Sequence, residues 1–173
     1  MQATKNNPSA EKYLGVLVTE IHSVVVATID DQGLPVTRVI DMMLTDGQTV
    51  YFLTAHGKEF YRQLMRTKYV ALTGMHGGEG MDRAEASMHV KAISLRGHVE
   101  NIGTEKIGEI FEENPYMAEI YPNPKAREAL RVFKFTDGVG QFFDLSTKPI
   151  TRADFSLGSA TEAPTTGYEI TDA

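Results

Sequence analysis

The chain repeats one device: a short run rich in β-branched residues, ended by a cluster of residues that can turn. In SVVVATIDDQGLPVTRVIDMML (residues 23–44) two such runs flank DDQG, and a second break at TDGQ leads into TVYFLT (49–54). β-Branched side chains suit a pleated, half-buried surface, and Asp/Gly clusters reverse a chain in a few residues. The pattern predicts three antiparallel strands joined by short turns as the first half of the fold.

Downstream the period changes. KEFYRQLMRT repeats Phe60 with Leu64 and Tyr61 with Met65 at helical spacing, and YVALTGMH (69–76) returns to strand character. Upstream, SAEKYLGVLVTEIHS places Leu14, Leu17, Val18 and Ile21 on one helix face, with Ser9 as the expected cap. HGGEGMDRAEAS (76–87) reads as a mobile loop, and MHVKAISLRGHVENI (88–102) as a strand with a bend or bulge at Gly97. Helical pieces punctuated by Pro115, Pro122 and Pro124 follow. RVFKFTDGVGQFFDLS (131–146) then reads as two strands joined at Asp137 and Gly138.

The expected fold is mainly β with peripheral helices: a six-stranded antiparallel split β-barrel, closed because closure removes exposed edges. Residues 1–155 form the expected domain, and the small, polar residues 156–173 an expected tail. No internal repeat is present.

Composition removes several function classes. The formal net charge of −6 and a pI of about 5.4 oppose a general nucleic-acid surface, which needs clustered Lys and Arg. Without cysteine there is no disulfide framework, thiolate metal site or cysteine nucleophile. The N-terminus lacks a basic region followed by an apolar run, and no stretch is long enough to span a bilayer. A cytoplasmic protein acting on a small molecule, with no membrane or nucleic-acid partner, is the expectation.

Two cations carry the chemistry. Alternation sets Val36, Arg38, Ile40, Met42 and Leu44 on one face, so Arg38 interrupts an apolar row. A dry, unpaired guanidinium costs on the order of 3 kcal/mol or more, so it needs an anion or several acceptors. The plain alternative is pairing with Asp41 or Glu59, or an escape to solvent at a barrel rim. In TAHGKEF, Thr54 ends a strand, Gly57 allows a tight path and Lys58 stands where a helix begins. Amides, a hydroxyl and an ammonium could converge there on one anion, and phosphate fits. Lys58 alone reads as a solvated surface lysine; beside Arg38 the anion site is the better reading.

Of the histidines, His56 lies in the candidate loop. His22, His89 and His98 read as polar packing, and His76 precedes the mobile loop. No pair has a strong ligand spacing, so no metal site is assigned. Neither a nucleophile elbow nor a GxGxxG after a strand is present, so a hydrolase and a built-in Rossmann site are not expected.

With these residues in place, VVVATIDDQGLPVTRVIDMMLTDGQTVYFLTAHGKEFYRQLMRTKYVAL resembles the N-terminal half of the pyridoxamine 5'-phosphate oxidase-like family, the FMN-binding split-barrel proteins. The matching residues are Arg38, Val39 and Ile40, then Thr54 and Lys58. GVGQFFDLSTKPI resembles the last strand of one branch of the family.

The resemblance implies an FMN phosphate held by Arg38, Lys58 and Thr54, with His56 nearby and backbone around Val39, Ile40 and Asp41 meeting the isoalloxazine ring. It also implies a homodimer with flavin in the interface; Phe143 and Lys148 are the candidates for contributions from a second subunit. The implied activity is an FMN-dependent oxidoreductase passing electrons from a donor such as NAD(P)H to a small acceptor, with no catalytic side chain named. A flavin- or haem-binding protein that stores or senses without turnover is the alternative.

Three departures qualify the resemblance. The true oxidases carry a longer, more basic Ser-Arg-Lys type phosphate loop and a C-terminal Arg and Trp arrangement. This chain has one cation in TAHGKEF and no Trp, so turnover of pyridoxamine phosphate is not implied. Some relatives continue after a segment like GYEITDA into a cysteine-rich iron–sulfur module; with no cysteine here, no cluster is expected.

Overall fold

The structure is a computed structural model and describes residues 8–160. Helix α1 (Pro8–Val16) runs into a π-helical turn, Leu17–Ile21, and the face that carries Leu14, Leu17 and Ile21 is buried as its spacing predicts. Ser9 lies inside α1 rather than ahead of it, so the expected cap position is corrected.

All strand pairings are antiparallel. Strand β1 (Ser23–Ile29) forms the expected hairpin with β2 (Pro35–Asp41), in a register that sets Val26 opposite Arg38. The third expected strand is displaced. After Asp41 the alternation breaks: Met42 and Met43 are both buried, one in each of two apolar clusters. The chain then makes a small hairpin from β3 (Leu44–Thr45) to β4 (Val50–Ala55), and β4 pairs with β7 (Leu130–Phe135), not with β2. Helix α2 (Glu59–Thr67) and β5 (Tyr69–His76) follow as expected, and β5 pairs with β1.

The segment expected to be a mobile loop contains helix α3 (Arg83–Ser87). Asp82 caps it, its Oδ1 accepting from the amides of Ala84 and Glu85 at 2.9 and 3.0 Å. Helices α4 (Ile107–Glu113), α5 (Met117–Ile120) and α6 (Pro124–Arg127) are separated by the prolines that predicted breaks. Ile110 and Met117 of the first two bury a second cluster against Tyr51 and Val132.

The long strand β6 (Lys91–Asn101) organises the rest. One edge pairs with β5; the other pairs with β7 through residues 99–101 and with β8 (Gly138–Asp144) through residues 91–96. Between the pairs Val99–Phe135 and Arg96–Val139, two residues of β6 face three of the other strand. The two strands expected around Asp137 and Gly138 are present, but β7 and β8 do not pair with each other: they run on along β6 with a one-residue bulge at 136–138. Gly97 lies against the bulge, where an added Cβ would fall 2.0 Å from the Asp137 carbonyl oxygen. His98 staples the same point: Asp137 Oδ1 accepts from its backbone amide at 3.2 Å and lies 2.9 Å from its Nδ1.

A further strand, β9 (Thr151–Leu157), pairs with β8 and carries the chain past residue 155, the expected domain end. Its alternation, with Phe155 and Leu157 buried, was available in TRADFSL but is diluted by polar neighbours. Residues 161–173, most of the expected tail, lie outside the described residues.

The fold is thus the expected antiparallel split barrel, but among the described residues it has nine strands instead of six and does not close: the path β2-β1-β5-β6-β7-β4-β3 ends on two edges unpaired among those residues, and β8, carrying β9, branches from β6. Among the described residues, β4 has no partner on its β3 side beyond Tyr51, and β2 has none beyond β1. Phe52, Phe60 and Leu64 pack α2 onto the main core at this seam, with the Phe52 and Phe60 rings stacked 6.1 Å apart. The seam, rather than an edgeless barrel, positions the site.

Candidate functional site

A cleft of about 580 Å³ opens along the seam. Strand β2 lines one wall with Val36, Arg38, Val39 and Ile40, and β4 the other with Leu53 and Thr54; Lys58, Phe60 and Gln63 of the α2 region form its end. The volume falls in the usual range for small-molecule sites.

Arg38 reaches this cleft because its place on β2 points it to the barrel side with Val36 and Ile40. Its Nη1 donates to Thr28 Oγ1 at 2.5 Å and its Nη2 to Gln63 Oε1 at 2.8 Å, while the guanidinium carbon lies 4.5 Å from the centre of the Phe60 ring. Burial lowers the Arg38 pKa and nearby Glu59 opposes that shift; an arginine starts so high that it stays charged.

Neither expected carboxylate neutralises it. Asp41 belongs to the opposite face of β2, accepting from Ser23 Oγ at 2.6 Å and from the Tyr116 hydroxyl at 2.9 Å. Glu59 lies 3.7 Å from Arg62. Among the described residues no carboxylate comes within ion-pair distance of Arg38.

The loop does what its letters suggest. Thr54 is buried near the end of β4, and the Lys58 amide donates to the Ala55 carbonyl at 3.0 Å, closing a turn that delivers Lys58 to the position just ahead of α2. No side chain caps α2, so the helix presents its N-terminal amides and positive dipole end beside the Lys58 ammonium. Two acidic residues also border the cleft. Asp30 accepts from the amides of Gln32 and Leu34 at 2.9 Å each, and Glu59 faces Arg62 and Gln63 Nε2, so both have partners of their own.

Of the predicted residues, the structure brings together Arg38, Val39, Ile40, Thr54 and Lys58. His56 and Asp41 are not part of the cleft lining. His56 makes an edge contact with Tyr61, centroids 6.5 Å apart, and its amide donates to Ala129. Asp41 joins His22 and Tyr116, whose hydroxyl lies 2.8 Å from His22 Nε2; burial and the bond to Asp41 push the Tyr116 pKa up. Phe143 lies on β8 under Arg152, guanidinium carbon to ring centre 4.8 Å, and Lys148 follows in the β8–β9 loop.

Sequence reasoning missed Thr28, Phe60 and Gln63 as site residues. Thr28 and Gln63 are 3% and 2% exposed, a burial polar residues accept only when hydrogen-bonded. The available signal for Gln63 was its place on the apolar face of α2, three residues from Phe60 and next to Leu64.

A family model described as pyridoxamine 5'-phosphate oxidase matches residues 11–138. The chain belongs to that family. No curated protein matches it in sequence. Among solved structures, a NimC/NimA family protein from Clostridium acetobutylicum is 19% identical with a TM-score of 0.63, covering 86% of this chain and 94% of that one. A second C. acetobutylicum protein, described as related to general stress protein 26 of B. subtilis and of the pyridoxinephosphate oxidase family, is 17% identical with a TM-score of 0.58, covering 84% and 94%. A heme binding protein from Mycobacterium smegmatis is 12% identical with a TM-score of 0.62; the match covers 86% of this chain but only 58% of that protein. At these identities the likeness is one of fold.

Proposed function

We propose that the chain is an FMN-binding oxidoreductase that passes electrons from a reduced donor such as NAD(P)H to a small-molecule acceptor. The observation that carries the reading is the meeting of Arg38 and Lys58, with Thr54, in one cleft at the uncapped start of α2. The pattern fits a phosphate monoester: two cations, a hydroxyl and backbone amides suit a dianion, and Val36, Ile40 and Leu53 offer an apolar wall for a ring system.

The redox chemistry would come from the flavin ring, which carries two electrons from donor to acceptor. The chain's own residues bind and orient. Arg38 and Lys58 anchor the phosphate end, and the apolar walls exclude water. The strand edge at Val39 and Ile40 supplies backbone groups to the ring. No side chain need serve as an acid or base.

The family likeness and the shape of the cleft support a homodimer with the flavin between subunits. Val39 lines the cleft and is 68% exposed, and its registered neighbour Val25 is 42% exposed on the same outer face. Apolar exposure beside an open ring site suits a wall supplied by a second copy. A haem reading draws on the M. smegmatis relative, but no histidine lines this cleft, so flavin fits the donor set better.

Mass spectrometry of the ligand that co-purifies with the folded chain tests the proposal. FMN is expected, in a yellow preparation that bleaches with NADH or NADPH and recovers in air. Bound flavin that stays oxidised with both donors would leave a storage or sensing role, and a Soret band in place of flavin bands would reject the assignment.

A further inference from the structure

Among the described residues every hydrogen-bond partner of the Arg38 guanidinium is neutral, and the Glu59 carboxylate acts on it only from beyond ion-pair distance. Thr28 Oγ1 and Gln63 Oε1 accept from its two terminal nitrogens, Thr28 Oγ1 also donates to Gln63 Oε1 at 2.5 Å, and Phe60 lies against its face. The three side chains close a ring of hydrogen bonds. Thr28 and Gln63 are almost fully buried, so the ring is pinned by the core rather than by solvent-facing groups.

Neutrality matters. A carboxylate in place of the Gln63 amide would fix the guanidinium equally well but cancel most of its field, and an incoming anion would have to displace it. An amide oxygen fixes the geometry and leaves the charge. A guanidinium also carries more N–H donors than its two bonds to Thr28 and Gln63 use, so donors remain for a ligand. Helix α2 supplies Lys58 at its start, Phe60 under the guanidinium and Gln63 beyond it, so one rigid element sets the spacing of the two cations.

We propose that Gln63 and Thr28 are positioning residues that hold Arg38 un-neutralised for a phosphate monoester dianion, and that they thereby make the chain select a phosphorylated flavin over the same flavin without its phosphate. This rests on the phosphate reading above and deepens it: the selectivity resides in two buried neutral residues that do not themselves need to touch the phosphate.

The test compares FMN and riboflavin binding to the full chain by fluorescence titration. Gln63→Glu is expected to weaken FMN by about tenfold or more while riboflavin changes by less than about twofold, and Thr28→Val to weaken FMN in the same selective way by several-fold. A merely structural role would move both ligands together, so a parallel loss, or an unchanged FMN to riboflavin ratio, overturns the proposal. Should Gln63→Glu fail to fold, Gln63→Met and Thr28→Val give the same comparison.

A wild-type chain that takes both flavins equally rejects the phosphate reading itself. The positioning claim is then decided by nitrogen NMR of the ligand-free chain. Slowly exchanging Arg38 guanidinium signals that average in Gln63→Met uphold the restraint, and signals already averaged in the wild type overturn it.

Discussion

Gly97 and Asp137 touch where the barrel splits: a methyl group on Gly97 would sit 2.0 Å from the Asp137 carbonyl oxygen and 2.6 Å from the Gly138 Cα. At this contact β6 exchanges one partner for another, and the bulge in the β7–β8 run makes room for the exchange. Only a residue without a Cβ lets the two backbones approach so closely.

Gly97→Ala is therefore expected to cost about 3 kcal/mol through overpacking against main chain that cannot rotate away. Urea unfolding measures it. A loss below about 1 kcal/mol would mean that the bulge yields easily and that the close approach is not what defines the split.

The two cations of the cleft should act separately. Arg38→Ala and Lys58→Ala are each expected to weaken FMN by about 1.5 to 3 kcal/mol, the usual worth of a charge-assisted contact. Equilibrium dialysis with FMN reads the change, and the loss should shrink as salt rises for Lys58, the more exposed of the two. Unchanged affinity in both variants would move the phosphate elsewhere.

Asp46 offers a pH test away from the cleft. Burial alone would raise its pKa, but hydrogen bonds from the Tyr51 hydroxyl at 2.7 Å and the Gln48 and Thr49 amides at 2.9 and 3.0 Å outweigh it, and the pKa falls below the ordinary 3.8. A depressed carboxylate contributes its stability fully above the unfolded value and loses it as pH falls from there through the folded value. The stability gap between wild type and Asp46→Asn should be constant near neutrality and narrow only below about pH 4. A gap that already narrows near pH 6 would assign the effect to another group.

Tyr116 joins helix α5's approach to the β1–β2 pair. Its hydroxyl donates to Asp41 and meets His22, whose backbone at φ 59° lies in the left-handed region that only glycine adopts freely. Tyr116→Phe removes both contacts and is expected to cost about 1 to 2 kcal/mol. Thermal unfolding checks the size, and a neutral result would show that solvent replaces the hydroxyl.

Much of the fold was legible because it is local. The 2-residue alternation of β1 and β2, the helical repeat of Phe60 and Leu64 in α2 and the proline punctuation after residue 113 each show in a window of a few turns. What no local window shows is partnership. A strand period says which face is buried but not which strand lies alongside: β4 pairs with β7 rather than with β2, and Asp137-Gly138 is a bulge along β6. Helix α3 was lost among glycines, although Asp82 and Glu85 stand at capping spacing.

The site divides in the same way. Arg38 in an apolar row and Lys58 before a helix are chemical anomalies that any reader of the chain meets, and both line the cleft. Alone, the chain determined that Arg38 needed acceptors, because a dry guanidinium is costly at any position. Only the tertiary structure decided that those acceptors are Thr28 and Gln63 and that Asp41 faces away. Hydrogen-bond partners are selected by distance in space, and residues separated by tens of positions become neighbours only when β1, β2 and α2 pack.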